Sequence, residues 1–564
     1  MFSQLYDRTI DKIGEWNPQL FREIQGRLKP KTFAIVASAS AFGQFLLYSY
    51  FKGMLPIREG NYDRYCLGAI DEKQYYYQGG GICQSDLLGN IQIFKELWWL
   101  DLFTAMSIMG VFILLVVGCY MLIADVSKEN SRNTLNFIRL TPQSAITIFT
   151  GKMLGVPILV YLFGICAIPL HLIAGLKANI SFPLIFGFYG ILAVACVFFY
   201  TLSLLFSLVA TGLGNLQAGL GGVAIFFFLS ITSSVYMNAN TFSYTSFDWL
   251  LLFNPIIFLT YLAKSTFISE NAINYFAYGT VNELSWYGNF GWRNSLSAFL
   301  LIVANYGIWS FWLWQGVKRR FHNPNETVIS KYHSYLMSAC FIVFNVGFTL
   351  QENNYFGNEG KLVILQIFNF FFFLLLIPAI TPHRQNLQDW ARYRHENSLS
   401  KQQILKDLLL GEKSPAPMSI VLNVLILTVY LIPSLFFFSH QEQVFSNLLG
   451  FIFSGSIIMI YGTIFQLLLT IKNQKRSIIA SSIVLSLIIS PFLTLTILGA
   501  TTHQFPVIWL FSAFPIAAFN FMSLDSIAIL GSLLSQIIVI LGFNYQLKRI
   551  LDQAGISETK ALMV

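Results

Sequence analysis

Long uninterrupted apolar blocks decide what this chain can become. They lie near residues 32–51, 98–124, 153–175, 183–210, 216–237, 295–317, 333–350, 361–381, 417–438, 444–470, 478–499 and 523–546. A helix needs roughly 20 apolar residues to cross a hydrocarbon core, and most of these blocks reach that length. Hydrocarbon offers no partner to a backbone N–H or C=O, so each block must satisfy its own and be helical. The ten-residue alternating strands of an outer-membrane barrel are absent. Charged residues make up 11% of the 564, where a soluble domain carries about a quarter. The expected fold is therefore all-α: a polytopic membrane protein with about twelve transmembrane helices.

The polar segments between the blocks set the expected orientation. Segments 1–31, 126–152, 317–332, 382–413, 471–477 and 547–564 hold 26 of the 35 Lys and Arg, and the alternate segments hold nine. The positive-inside rule places the richer set in the cytoplasm of a cell (inner or plasma) membrane, and an even number of spans puts both termini there. Residues 1–31 contain no apolar core of signal-peptide type, so no cleavage is expected. The net charge of +8 is that of loops facing anionic headgroups and calls for no nucleic acid. Cys119, Cys166, Cys196 and Cys340 fall inside apolar blocks and read as packing residues. Cys66 and Cys83 share the segment 52–97, on the expected outer side, where an oxidising compartment permits a bridge; they are expected to form a disulfide.

The blocks group as six plus six: an interface element over 1–31, a first bundle over 32–332 and a second over 333–564. Each half has a long basic segment between its second and third blocks. Each also has a short apolar, Pro-containing stretch before its last block, at 249–261 and 506–521. Such stretches read as re-entrant or interfacial helices. Both halves enter from one side, so the expected relation is two parallel six-helix repeats about an axis normal to the membrane.

Two segments carry more specific information. In residues 16–29, Asn17 suits a helix cap and Pro18 the first turn. Leu20, Phe21, Ile24 and Leu28 then share one face, as in a helix lying on the membrane surface; a simple anchor has the same appearance. In residues 124–152, Glu129 and Arg132 lie one turn apart. A solvated loop helix is the plainer reading of this charged segment.

Together these residues resemble the permease subunits of the type-two ABC exporters. The resemblance rests on Asn17, Pro18, Arg22 and Glu23, and on Glu129, Thr134, Leu135, Thr141, Pro142, Ser144, Gly151 and Lys152. It implies outward transport driven by a separate cytoplasmic ABC-type ATPase that binds ATP and Mg. This chain would hold no cofactor of its own, and it has no phosphate-binding loop, since Gly151-Lys152 runs into Met153. The resemblance implies coupling to that motor through Arg22, Glu23, Glu129, Arg132, Thr134, Pro142 and Lys152. The second half lacks the Thr-Pro turn and keeps only Gly411-Glu412-Lys413; there Arg384, Arg392 and Lys413 are the corresponding candidates. The family pairs six-span subunits, so twelve spans in one chain imply a whole pathway, with a homodimer of the full chain left open.

Three other classes stay in view. An ion-coupled secondary transporter carries acidic residues inside its spans, whereas Asp101, Asp125 and Asp525 lie near block ends and His171 is the only His well inside one. A membrane enzyme acting on lipids or glycans needs a catalytic constellation. His383, Asp389 and His395 match no metal motif, and no G-x-S-x-G occurs. A membrane scaffold with no transport activity is the third. The mostly uncharged blocks favour a lipid-like or apolar cargo.

Overall fold

Among the described residues the long apolar blocks are helical, as a backbone in hydrocarbon requires. The computed structural model describes residues 12–66, 81–238, 245–266, 268, 273, 284–289, 291–349, 357–396, 401–438, 441–473, 475–499, 505–521 and 524–561. Among these, ten helices are long and apolar enough to cross a membrane: Pro30–Gly53, Lys95–Ser131, Ile158–Lys177, Phe182–Val209, Leu216–Val235, Ser295–His322, Gly360–Ile380, Val444–Leu469, Arg476–Ile497 and Ser526–Gly555. The protein is an all-α, multi-pass membrane protein. The expected count of twelve exceeds these ten by two. Block 333–350 is the helix Lys331–Thr349, interrupted by His333, Ser334, Ser338 and Asn345. Block 417–438 offers its apolar run over Pro417–Pro433.

The chain divides into two compact units. The first comprises Met1–Phe242, Leu250–Leu284 and Phe290–His322; the second comprises Ser243–Trp249, Ser285–Asn289 and Asn323–Val564. The first opens with α1 (Pro18–Arg27) and α2 (Pro30–Gly53), then a two-stranded antiparallel ladder of β1 (Tyr62–Asp63) and β2 (Gly81–Ile82), with Tyr62 opposite Ile82. Next come α3 (Lys95–Ser131), α4 (Thr134–Arg139), α5 (Ala145–Gly155), α6 (Ile158–Lys177), α7 (Phe182–Val209) and α8 (Leu216–Asn238). The short helix α9 (Ser246–Leu251), whose residues up to Trp249 belong to the second unit, and α10 (Leu259–Lys264) precede α11 (Ser295–His322). Within the first unit α1 packs along α5, α2 along α6, α3 against α6, α7 and α8, and α11 along α7.

Two breaks in this unit have visible causes. Pro157 ends α5 and starts α6, so the expected span 153–175 is two helices. Pro157 has no N–H for the Met153 carbonyl, and the Tyr161 hydroxyl donates to it instead, at 2.8 Å. In α3 the pitch widens to a π-turn over Ile113–Val117. The Leu114 carbonyl there accepts from the Tyr200 hydroxyl at 2.8 Å. Gly118 makes room for that ring, because a Cβ at 118 would collide with it.

The second unit holds α12 (Lys331–Thr349), α13 (Gly357–Ile380), α14 (Arg384–Glu396), α15 (Lys401–Leu410), α16 (Pro417–Phe438), α17 (Gln441–Leu469), α18 (Arg476–Ile497), α19 (Pro506–Leu510), α20 (Ile516–Phe521) and α21 (Ser526–Ala561). α17 is central, packed by α16, α18, α20 and α21. The stretches 249–261 and 506–521 are both broken into short helices, each break at a Pro-containing turn.

Candidate functional site

Helix α1 is positioned one residue at a time. Asn17 adopts an extended backbone and caps the helix, its side chain accepting from the Leu20 N–H at 2.9 Å. The same amide donates to the Thr147 carbonyl on α5 at 2.8 Å, tying the two helices. Gly151 and Gly155 bring them into near-backbone contact. A Cβ at 151 would stand 2.6 Å from Asn17 Oδ1 and 2.8 Å from the Leu20 nitrogen; one at 155 would stand 2.5 Å from Glu23 Cβ. Small residues four apart serve this purpose in membrane helices.

Lys152 lies between those glycines with 0% of its side chain exposed. Its Nζ is 2.6 Å from Asp125 Oδ2, 2.9 Å from Glu129 Oε2 and 3.9 Å from Glu23 Oε1. Arg27 bridges Asp125 at 2.5 Å and Glu23 at 3.1 Å. Arg22 bridges Glu129 at 2.8 Å and Glu23 at 3.2 Å. Gln19 donates to Glu23 Oε1 at 2.9 Å. Three cations thus face three carboxylates, with contacts that alternate in sign. Such a cluster tolerates burial only because each charge is paired and hydrogen-bonded. Burial opposes the charge on Arg22, but hydrogen bonds and charges from Glu23 and Glu129 raise its pKa above the ordinary value. Oxygens of Glu23, Asp125 and Glu129 come within 4.8 Å of one another, close enough for a metal ion. The Lys152 ammonium already sits against them, and the two arginines complete the charge balance.

Beyond this cluster the chain turns outward. α3 ends at Ser131, Arg132 is exposed, and Asn133 takes a left-handed backbone (φ 58°) that Asn tolerates well. Thr134 opens α4 and donates to the Glu129 carbonyl at 3.1 Å. α4 buries Leu135 and Ile138 and exposes Phe137 (73%), and Leu140 just past its end is exposed as well (84%). Pro142 follows, also exposed. Arg139 lies over the Phe321 ring at 5.8 Å, and burial lowers its pKa.

The structure thus brings Arg22, Glu23, Glu129 and Lys152 into one cluster. It leaves Arg132, Thr134 and Pro142 on the exposed turn past it. Glu129, expected to contact the motor, is held by this chain's own Arg22 and Lys152. Arg27 and Asp125 belong to the cluster as well, and sequence reasoning passed over that role. The signal was present in two same-helix spacings of four, Glu23–Arg27 and Asp125–Glu129.

The second unit has a different arrangement. Arg384 begins α14. Arg392 and Lys413 approach Asp389 only at 4.0 and 3.8 Å, on partly exposed side chains, where ion pairs contribute little. α14 is held by apolar packing of Leu387, Trp390 and Ala391 against Leu547 and Leu551. A buried charge in this unit is Lys331, at the start of α12. Its ammonium donates to the Leu408 carbonyl at 2.8 Å, Ser414 Oγ at 2.6 Å and the Pro415 carbonyl at 3.0 Å. Burial pushes its pKa down to about 7, against the opposing pull of Asp407 and Glu412.

Three further groups complete the account. Cys66 and Cys83 form a disulfide beside the β1–β2 ladder. Asp101 accepts from Arg64 at 2.8 and 3.1 Å and from the Tyr65 hydroxyl at 2.9 Å. His171 sits in a hydrogen-bonded chain. The one Ser107 proton points at the Phe103 carbonyl (2.8 Å), so Ser107 accepts from His171 Nε2 (2.8 Å), and Nδ1 accepts from Tyr189 (2.7 Å). This assignment follows from counting donors. It leaves His171 no lone pair to activate Ser107. Set against known proteins, the chain matches no family model, no curated protein and no solved structure.

Proposed function

We propose that this chain is the membrane subunit of an ATP-driven exporter, worked by a separate ABC-type ATPase in the cytoplasm. The observation that carries the reading is the buried ion-pair cluster with α4 projecting just beyond it. ATP is hydrolysed in water, so its work must enter the bilayer through a rigid element. The cluster joins α1, the end of α3 and α5 into one body. A displacement of α4 therefore acts on α3 and, across the Pro157 turn, on α6. Exposed Phe137 and Leu140 give a motor subunit an apolar grip, and aromatic side chains of this kind commonly anchor interfaces. The same reading puts both termini in the cytoplasm, with the Cys66–Cys83 bridge on the far side. The uncharged spans suit a lipid-like or apolar cargo.

The test is purification in mild detergent from cells expressing the chain with its native neighbours, followed by mass identification and an ATPase assay. The expected result is a co-purifying ATP-binding subunit with vanadate-sensitive turnover. A chain that yields no ATP-binding partner, even after crosslinking from position 143, removes the reading.

A further inference from the structure

The first unit carries a half-open cavity of about 800 Å³ between α2, α3, α6 and α7, with Leu20 and Ile24 of α1 also in its lining. That is within the range of ligand sites, roughly 300–1,000 Å³. Its wall is almost wholly apolar, with Leu47, Met106, Met109, Ile113, Leu192 and Val197 among the contributors. The few polar groups in the wall are already committed to the protein. Ser40 donates to the Phe163 carbonyl and Gln44 to the Cys166 carbonyl. Tyr161 and Tyr200 donate to the Met153 and Leu114 carbonyls. Ser107, His171 and Tyr189 bond to one another as described above.

This wall selects its occupant by chemistry. Water needs two to four polar partners to be held in a cavity, and a sugar, peptide or ion loses its own hydration on entry. An unfilled space leaves the wall atoms without dispersion partners. The surroundings of a membrane-spanning bundle supply one abundant species that fits, the hydrocarbon chain of a lipid. There is also an entrance. α2 and α3 meet at one end through Tyr48 against Trp98 (5.6 Å) and the Trp98 indole donating to the Phe51 carbonyl (2.8 Å). At the other end Arg27 of α1 pairs with Asp125 of α3. Between those ties, Gly43 of α2 and Gly110 of α3 both line the cavity. Neither has a heavy atom within 4 Å of where a Cβ would stand.

We infer that this cavity holds an acyl chain of a membrane phospholipid, admitted between α2 and α3. The inference does not depend on the transport reading, since a chain that transports nothing would hold the lipid equally.

The experiment uses the full chain in vesicles of phosphatidylglycerol and phosphatidylcholine that contain a trace of phosphatidylcholine with a mid-chain diazirine. After irradiation, adducts are mapped by peptide mass spectrometry. Adducts are expected to concentrate on residues 106–114 and 160–168. They should exceed those on outward residues such as Ile231 and Leu534. The double variant Gly43→Leu, Gly110→Leu places side chains in the entrance at positions where a Cβ meets no heavy atom within 4 Å and should lose the cavity adducts, while Gly219→Leu, on open surface away from the cavity, should keep them. Cavity labelling no stronger than outward labelling in the unaltered chain overturns the inference, whether or not the filled variant folds. So does full labelling of a folded, filled variant. A diazirine fatty acid that labels the cavity and resists competition by phospholipid would overturn the choice of phospholipid.

Discussion

Lys152 has no exposed surface, and carboxylates from α1 and α3 surround its ammonium group. Removing one partner of such a cluster leaves the others buried and unbalanced, at a cost of about 3–5 kcal/mol. Lys152→Met is therefore expected to lower the thermal midpoint in detergent sharply, and adding Glu129→Gln should restore part of the loss, as coupled neighbours do. An unchanged midpoint in the single variant would mean that the cluster does not hold α1. Lys331 behaves differently, because its partners are carbonyls and a hydroxyl. Burial lowers its folded-state pKa from 10.5 to about 7. Between those values the unfolded chain binds more protons, so this residue favours folding increasingly as pH rises through that window, and the contribution is lost as pH falls through about 7. Wild type should gain stability over Lys331→Met as pH is raised from 7 towards 10.5, measured by chemical unfolding of both. A flat or falling difference would contradict the burial effect.

At the scale of elements, α4 is the part to probe. Phe137 and Leu140 face outward, and surface substitutions away from packing change stability by no more than about 0.5 kcal/mol. Phe137→Asp should leave the thermal midpoint unchanged while the ATPase subunit is lost on purification; retention of partner and turnover would show that the motor docks elsewhere. The helices themselves were legible in the sequence, because a long apolar run in hydrocarbon has only one way to satisfy its backbone. What stayed hidden has physical reasons. The split at Pro157 was missed because apolar length masked a residue that ends a helix. The π-turn at Ile113–Val117 has no signature in a run of Ile, Leu and Val. The ion-pair cluster was partly visible: Arg22, Glu23, Glu129 and Lys152 were singled out, but their mutual pairing joins residues up to 107 positions apart in the Arg22–Glu129 bridge. Lys331 drew no attention as a lone basic residue before an apolar block.

For the whole molecule, the unit division makes a prediction about cutting the chain. The second unit includes Ser243–Trp249 and Ser285–Asn289, which precede His322 in sequence. Trp249 stacks on Phe344 and Tyr287 N–H donates to the Gly347 carbonyl at 2.9 Å. A protease site placed between residues 322 and 323 should therefore yield two fragments that stay together on size exclusion in mild detergent. Separation of the fragments would show that these short segments do not secure the second unit.

The charged cluster also bears on how the protein is made. Its members leave the ribosome in three instalments, residues 22–27, then 125–129, then 152, since synthesis runs from the N-terminus. Before the last arrives, two arginines stand against three carboxylates and α1 has no α5 to lie on. Two long apolar helices will already have entered the membrane with that seam open. The seam between α1, α3 and α5 can close only once the single lysine has emerged, before α6, α7, α8 and α11 of the same unit have been made.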